Sequence, residues 1–269
     1  MSIDTLLTAR LRAHTTLPLS YHKGALRIPP SLSYETYQEK RYHDWRHSFE
    51  ADHLDGNKLL YYTYRTVCHR NHQRVFAQGH IHYDLTVLVA TAIGNEPNRT
   101  VGHLHSLITS SGVRPPELYE VISGSALFIF QPVHEKKIYT LRAKTGDIIP
   151  VPGTWGHITV NASARRPLII SNLFWTDAPA SDYNFFENTS GPAWYPHGHG
   201  SRISFHKNYH QKKMYQHIWL ARPALPQGII RGIPLYRQYQ RHPDAFSFLI
   251  PTSHHHSSHL TDCYTLHHA

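Results

Sequence analysis

Three histidines and a glutamate stand where they could hold a metal ion: His103, His105, Glu117 and His157. His103 and His105 lie one residue apart in "TVGHLHS", directly after Gly102. On a strand, such a pair puts both imidazoles on one face, because side chains alternate with period two. The bare pair carries little weight in a chain with 25 histidines among 269 residues. Random placement alone gives about two His-x-His pairs. The chain has His80/His82, His103/His105, His197/His199 and His254/His256. Context separates them. Downstream of His103/His105, "PELYEVISG" opens on Glu117 and sets Tyr119 and Val121 on the same face. Farther on, "GDIIPVPGTWGHITVN" delivers His157, with Thr159 and Asn161 on its side. No comparable glutamate run follows "GHIHYD" at the right distance, so His80/His82 reads as a decoy. Three imidazoles and one carboxylate suit a divalent transition ion and leave positions open for a bidentate ligand. Any one of these histidines alone would more often be an exposed or hydrogen-bonded side chain. The joint pattern points to the metal.

The elements that must position these residues are short. From residue 58 onward, β-prone runs alternate with turn signals: "KLLYYTYRTV", "YDLTVLVAT", "ELYEVIS", "SALFIFQ", "KIYTLRA", "DIIPVP", "HITVN" and "PLIISNLFW". Gly-Asn at 94–95, Ser-Gly at 123–124, Thr-Gly at 145–146 and Pro-Gly at 152–153 break them. Many short strands with close turns predict an all-β antiparallel sandwich or barrel over 58–178. Residues 98–107 are expected to add a strand. Residues 1–57 form an N-terminal extension, irregular over 1–33 and helical over 34–50, where Gly and Pro are absent. Residues 179–250 read as a covering segment, and the His-rich 251–269 as a disordered tail.

Composition narrows the function classes. The chain is 40% hydrophobic and 12% aromatic, which fits a folded protein. A net charge of +9 admits nucleic acid, an acidic membrane surface or an anionic small substrate. Lys and Arg are scattered, however, and the densest group, "HQKKMY" at 210–215, is short, which argues against nucleic acid. Two cysteines make no disulfide framework. No apolar run has signal or membrane-spanning length, so a cytoplasmic protein without membrane contact is expected.

Gly146, Pro152, Thr154, His157 and Asn161 spell G-x5-P-x-T-x2-H-x3-N. This resembles the second cupin signature, with Thr154 in place of a glycine. His103-x-His105 followed by Glu117-x6-Gly124 resembles the first, with a longer insert between His105 and Glu117. The segments 83–105, 116–131 and 171–183 resemble the cupin-type glucose-6-phosphate isomerase family, over about 41–251 in all. Thr91-Ala92 stands where that family has Pro-Gly. The resemblance implies a cupin jelly roll and a homodimer. It implies one divalent ion on His103, His105, Glu117 and His157, with Fe2+ first and Mn2+, Ni2+ or Zn2+ as alternatives. It places a substrate-contacting tyrosine at Tyr119. The phosphate falls at Thr86, Thr100 and Gly102, near Tyr183, with no Lys or Arg in direct contact. An aromatic at the site falls on Phe174 or Trp175.

The implied reaction is glucose 6-phosphate to fructose 6-phosphate, within glycolysis and gluconeogenesis. One hydrogen must move between C1 and C2. Glu117 is the candidate general base; a metal-assisted hydride shift is the competing route. Two other classes fit the same donors: an oxygen-dependent dioxygenase or oxidase, and a sugar-binding cupin without catalysis.

Overall fold

The computed structural model describes residues 2–49, 51, 54, 56–189, 191–197, 202–205, 215–251 and 257–265. In chain order its principal elements are helix α1 (Ile3–Thr15), strands β1 (Thr36–Arg41), β2 (Leu59–Arg65), β3 (Ile81–Leu88), β4 (Glu117–Ser123), β5 (Ser125–Pro132), β6 (Lys137–Lys144), β7 (Ile148–Val151), β8 (Trp155–Asn161), β9 (Leu168–Trp175) and β10 (Gln216–Trp219), and helix α2 (Leu235–Arg241). All eight strand-like runs of the sequence are strands. One sheet has the order β7-β4-β9-β3-β2-β1, the other β8-β5-β6-β10. The chain changes sheets after β4, β6, β7, β8 and β9, which makes an all-β jelly-roll sandwich. Glycines with positive φ make the first two of these crossings: Gly124 at 111° and Gly146 at 86°.

Three apolar layers hold the sandwich. Between the sheets, Val121, Ile149, Val151 and Ile170 meet Phe128, Phe130, Tyr139, Leu141 and Trp155. On the outer face of the first sheet, Leu85, Leu118, Ile122 and Leu173 lie under Leu7 and Leu11 of α1 and Leu235 and Tyr239 of α2. On the outer face of the second, Leu127, Ile129, Ile158 and Val160 lie under Phe186 and Ala193. Strands β4 and β8 are therefore buried at every position. Each fully buried Leu, Ile or Phe contributes about 1.5–3 kcal/mol.

The structure corrects the sequence reading at both ends. Residues 1–33 are not irregular throughout: α1 is a capped helix whose Ser2 Oγ accepts from Thr5 N at 3.2 Å. Its buried Leu7, Leu11 and Thr15 recur every fourth residue. The helix expected over 34–50 is mostly absent. Thr36–Arg41 pairs antiparallel with β2 as an edge strand, and only Tyr42–Trp45 is α-helical. The edge strand is polar and exposed along most of its length, so it lacks the alternation that marks a strand in sequence. The disordered tail is also corrected in part. Leu260, Cys263 and Tyr264 are buried, and Tyr264 packs against Trp155 and Phe130; residues 252–256 and 266–269 lie outside the described residues. The two sheets extend beyond 58–178 at both ends, to β1 and β10. Among the described residues no helix is long and apolar enough to cross a membrane.

Glu120, only 2% exposed, ties three elements together. From β4 it accepts from Leu235 N at 2.8 Å and faces His14 Nδ1 at 3.4 Å. Burial raises its pKa above the ordinary 4.5, against the pull of His14 and the Leu235 N–H. A raised folded-state pKa means that above pH 4.5 the native protein binds more protons here than the unfolded chain. This contribution to stability is thus present at low pH and is lost as pH rises through the folded value. Glu120→Gln keeps an acceptor for Leu235 N and removes the titration. Urea midpoints measured from pH 4.5 to pH 7 should show wild type losing ground to this variant as pH rises. Parallel curves would refute the assignment.

Candidate metal centre

The first residue of β4, Glu117, lies opposite Val151 of β7, and Tyr119 lies between Asn172 and Ile149. His157 comes from β8, on the facing sheet. His103 and His105 arrive on a segment that the sequence reading made a strand. It is extended but not a regular strand: it meets β8 through isolated bridges, with His103 N donating to His157 O at 3.2 Å and His157 N to His103 O at 2.9 Å. Gly102 interrupts it at φ 84°, and a Cβ there would stand 2.4 Å from Ile158 Cγ1. Only glycine fits that position without moving the core behind it.

His103, His105, Glu117 and His157 each offer one ligand atom, and the four atoms lie within 4.8 Å of one another. His105 Nε2 is 3.1 Å and His157 Nε2 is 3.4 Å from Glu117 Oε2. His105 and His157 are 2% exposed and Glu117 3%; His103 is the least buried of the four, on the open side.

The proton positions show that this cluster fits a metal. His105 Nδ1 lies 2.6 Å from Pro115 O, and His157 Nδ1 lies 3.2 Å from Trp155 O. A carbonyl only accepts, so each Nδ1 carries the proton. In a neutral ring, each Nε2 then turns a lone pair toward the Glu117 carboxylate. Such contacts need a positive charge between nitrogen and oxygen, supplied by a second ring proton or by a cation. Burial disfavours the second proton: it lowers His105 and takes His103 well below the ordinary histidine value. Burial also opposes charge on Glu117, and its carboxyl is held well below the usual range only while N–H donors or a cation face it from the imidazole side. Neutral imidazoles fixed by carbonyls, around an ionised carboxylate, are the donor set of a divalent ion.

The four donors line a cavity together with Thr86, Thr100, Tyr119 and Tyr183. Gly102 is not in its wall. The aromatic at the site is Phe174, whose ring lies 4.5 Å from that of His105; Trp175 packs instead against the outer core. Burial, then the charge of Glu117, raises the Tyr119 phenol well above its ordinary value and keeps it protonated. Thr63 and Thr86 share a hydroxyl hydrogen bond of 2.9 Å, and Thr100 Oγ1 accepts from Thr159 N at 3.0 Å. Sequence reasoning missed Lys40, Arg65, Asp84 and Asn172, which also line the cavity. The signal was available in the alternation of β2 and β3, which sets Tyr61, Thr63 and Arg65, then Asp84 and Thr86, on one face.

The other histidine pairs go elsewhere. His80 is exposed beside Asp177 at 2.9 Å, and His82 Nδ1 lies 2.8 Å from Asp84 Oδ1. His197 bonds Ser204 Oγ at 2.6 Å. His199, His254 and His256 lie outside the described residues.

Residues 46–213 match the family model for glucose-6-phosphate isomerase (GPI). The chain belongs to this family. One GPI-family relative, the glucose-6-phosphate isomerase of Thermococcus litoralis, is 31% identical over 101 residues, 38% of this chain and 50% of that protein. The chain thus spans about half the length of this curated relative. Solved structures that match in part include oxalate decarboxylase of Bacillus subtilis, with a TM-score of 0.33 at 20% identity over 45% of this chain and 27% of that one. Vicilin of Corylus avellana matches with a TM-score of 0.33 at 10% identity over 46% and 31%.

Elemental analysis of the full chain checks the donor assignment. His105→Ala should lose one ion per chain relative to wild type, whereas His80→Ala with His82→Ala should keep it. The tail stays in place, because Tyr264 is part of the core. Loss of the ion in the second variant and retention in the first would overturn the assignment.

Proposed function

We propose that the protein is a metal-dependent aldose–ketose isomerase that interconverts glucose 6-phosphate and fructose 6-phosphate. The observation that carries this reading is the buried four-donor cluster in the wall of a polar cavity, in a chain of the GPI family. A divalent ion held by His103, His105, Glu117 and His157, Fe2+ before Mn2+, Ni2+ or Zn2+, would supply Lewis acidity to neighbouring oxygens of the open-chain sugar. Tyr119 O–H, 3.3 Å from His157 Nε2, is a protonated donor placed to orient a sugar hydroxyl. Ile170 and Phe174 exclude water from one wall. The hydroxyls of Thr86 and Thr100 and the ring of Tyr183 line the rest of the path.

Glu117 has two candidate roles, and its environment favours one. Glu117 Oε2 faces two ligand nitrogens at 3.1 and 3.4 Å, so an ion there would engage the carboxylate, and an engaged carboxylate is a poor proton carrier. That supports Glu117 as a ligand, and direct transfer of hydrogen from C2 to C1. Glucose 6-phosphate deuterated at C2, converted in ordinary water, should then give fructose 6-phosphate that keeps most of its label. Complete washout would return the base role to Glu117. Oxygen-dependent turnover of another substrate, with no isomerisation under any metal, would transfer the reading to an oxygenase.

The same proposal includes a cytoplasmic homodimer. Tyr34 and Tyr37, 46% and 44% exposed, lie beside and on the edge strand β1, where a second copy would cover both apolar area and unpaired backbone. Light scattering across micromolar dilution should give twice the 31.0 kDa chain mass; a monomer mass throughout would count against it.

A further inference from the structure

The sequence reading gave the phosphate only threonines and a glycine. The cavity wall holds two cations as well. On β1 and β2 the inward positions are Gln38 and Lys40, then Tyr61, Thr63 and Arg65. Arg65 Nη1 donates to Asp84 Oδ2 at 2.8 Å. Asp84 is 1% exposed and is fully engaged, with Thr66 N at 2.9 Å and His82 Nδ1 at 2.8 Å on its other oxygen. The carboxylate therefore acts as a pedestal. It fixes one edge of the guanidinium, and the remaining N–H groups of Arg65 have no hydrogen bond among the described residues.

Lys40 is fixed differently. Its Nζ stands 4.4 Å from the ring centroid of Trp45 and 5.0 Å from that of Tyr183, and among the described residues no carboxylate lies within ion-pair distance, Asp44 and Glu187 acting on it from farther off. Aromatic faces hold an ammonium without neutralising it. The Tyr183 ring is in turn 5.7 Å from His103, so this one side chain spans from the metal donors to the ammonium. Lys40 and Arg65 repel each other across the cavity. Two mutually repelling cations beside one polar cavity, each held by the fold with donors to spare, call for an anion between them.

We propose that Arg65 and Lys40 clamp the phosphate of the sugar substrate in the cavity that the metal donors also line, with Asp84 as the positioning residue for Arg65. This rests on the isomerase reading. The guanidinium offers paired N–H groups to two phosphate oxygens, and the ammonium offers a point charge to the third. The hydroxyls of Thr63, Thr86 and Thr100 complete the cradle. The phosphate then fixes which end of the sugar reaches the metal.

The test uses glucitol 6-phosphate, which has the phosphate and hydroxyls of the substrate but no carbonyl and so cannot react. Titration calorimetry on the metal-loaded full chain compares it with glucitol. Lys40→Met and Arg65→Gln should each weaken glucitol 6-phosphate about tenfold or more and flatten its salt dependence, as expected for a lost charge-assisted contact. Glucitol binding should not change, and Lys137→Gln, on the other sheet, should bind like wild type. Arg65→Gln leaves Asp84 without its cation and could impair folding; Lys40→Met strands no buried carboxylate, and Arg65→Lys keeps the charge. If Lys40→Met and a folded Arg65 variant bind glucitol 6-phosphate as wild type does, the clamp is wrong, even if wild type isomerises sugar phosphates. If the variants lose binding while wild type shows no isomerisation, the clamp stands and the isomerase reading fails.

Discussion

Two backbone carbonyls decide what the centre of this protein can hold. Pro115 O and Trp155 O each take the Nδ1 proton of a histidine and so dictate that the opposite nitrogen presents a lone pair. Glu117, aimed at the same point, adds an anionic oxygen rather than a proton. An assembly of acceptors facing one another is repulsive, and it persists only because the surrounding sandwich is more stable than the repulsion is costly. The centre is thus a place where the fold stores electrostatic tension for a cation to relieve. The same tension accounts for its depth: water would otherwise screen it away.

The sandwich meets that demand through its topology. Glu117 and Tyr119 stand on one sheet and His157 on the other, while His103 and His105 ride a segment bridged to β8. No local stretch of chain could bring these four donors together. They are held by the three apolar layers, which bury β4 and β8 on both faces and leave their backbones no freedom to shift. Gly102 has a part in this that differs from the phosphate role suggested by resemblance. It lets the segment turn against Ile158 and Phe186 and so sets the height at which His103 enters.

Much of this was legible in the sequence because the signals were local. The eight strands showed as β-prone runs between turns, and the two histidine blocks with Glu117 named the donors. Features that depend on tertiary partners were hidden. Helix α1 has only a narrow apolar stripe, Leu7 and Leu11, and needs the outer face of the sheet to be recognised. Strand β1 is polar and exposed, so pairing with β2 alone makes it a strand. The sequence set His82 aside as a metal ligand but did not show its actual partner, Asp84, which a two-residue offset within one strand supplies. Lys40 and Arg65 looked like scattered surface charge until the register of β1 and β2 turned them inward.

Tyr264 carries a consequence for the order in which the molecule is made. Its ring fills space against Trp155 and Phe130, and its hydroxyl reaches Pro150 O on β7. Ala224 N donates to Cys263 O at 2.7 Å, so the returning chain is stitched along its path. The space between the sheets is therefore closed by residues made well after the strands that bound it. Strands β4 to β9 emerge with one of their apolar layers still open, and they must wait for roughly ninety residues, several seconds of synthesis at ordinary elongation rates. Any early stop in translation would leave a complete set of metal donors inside an unfinished shell.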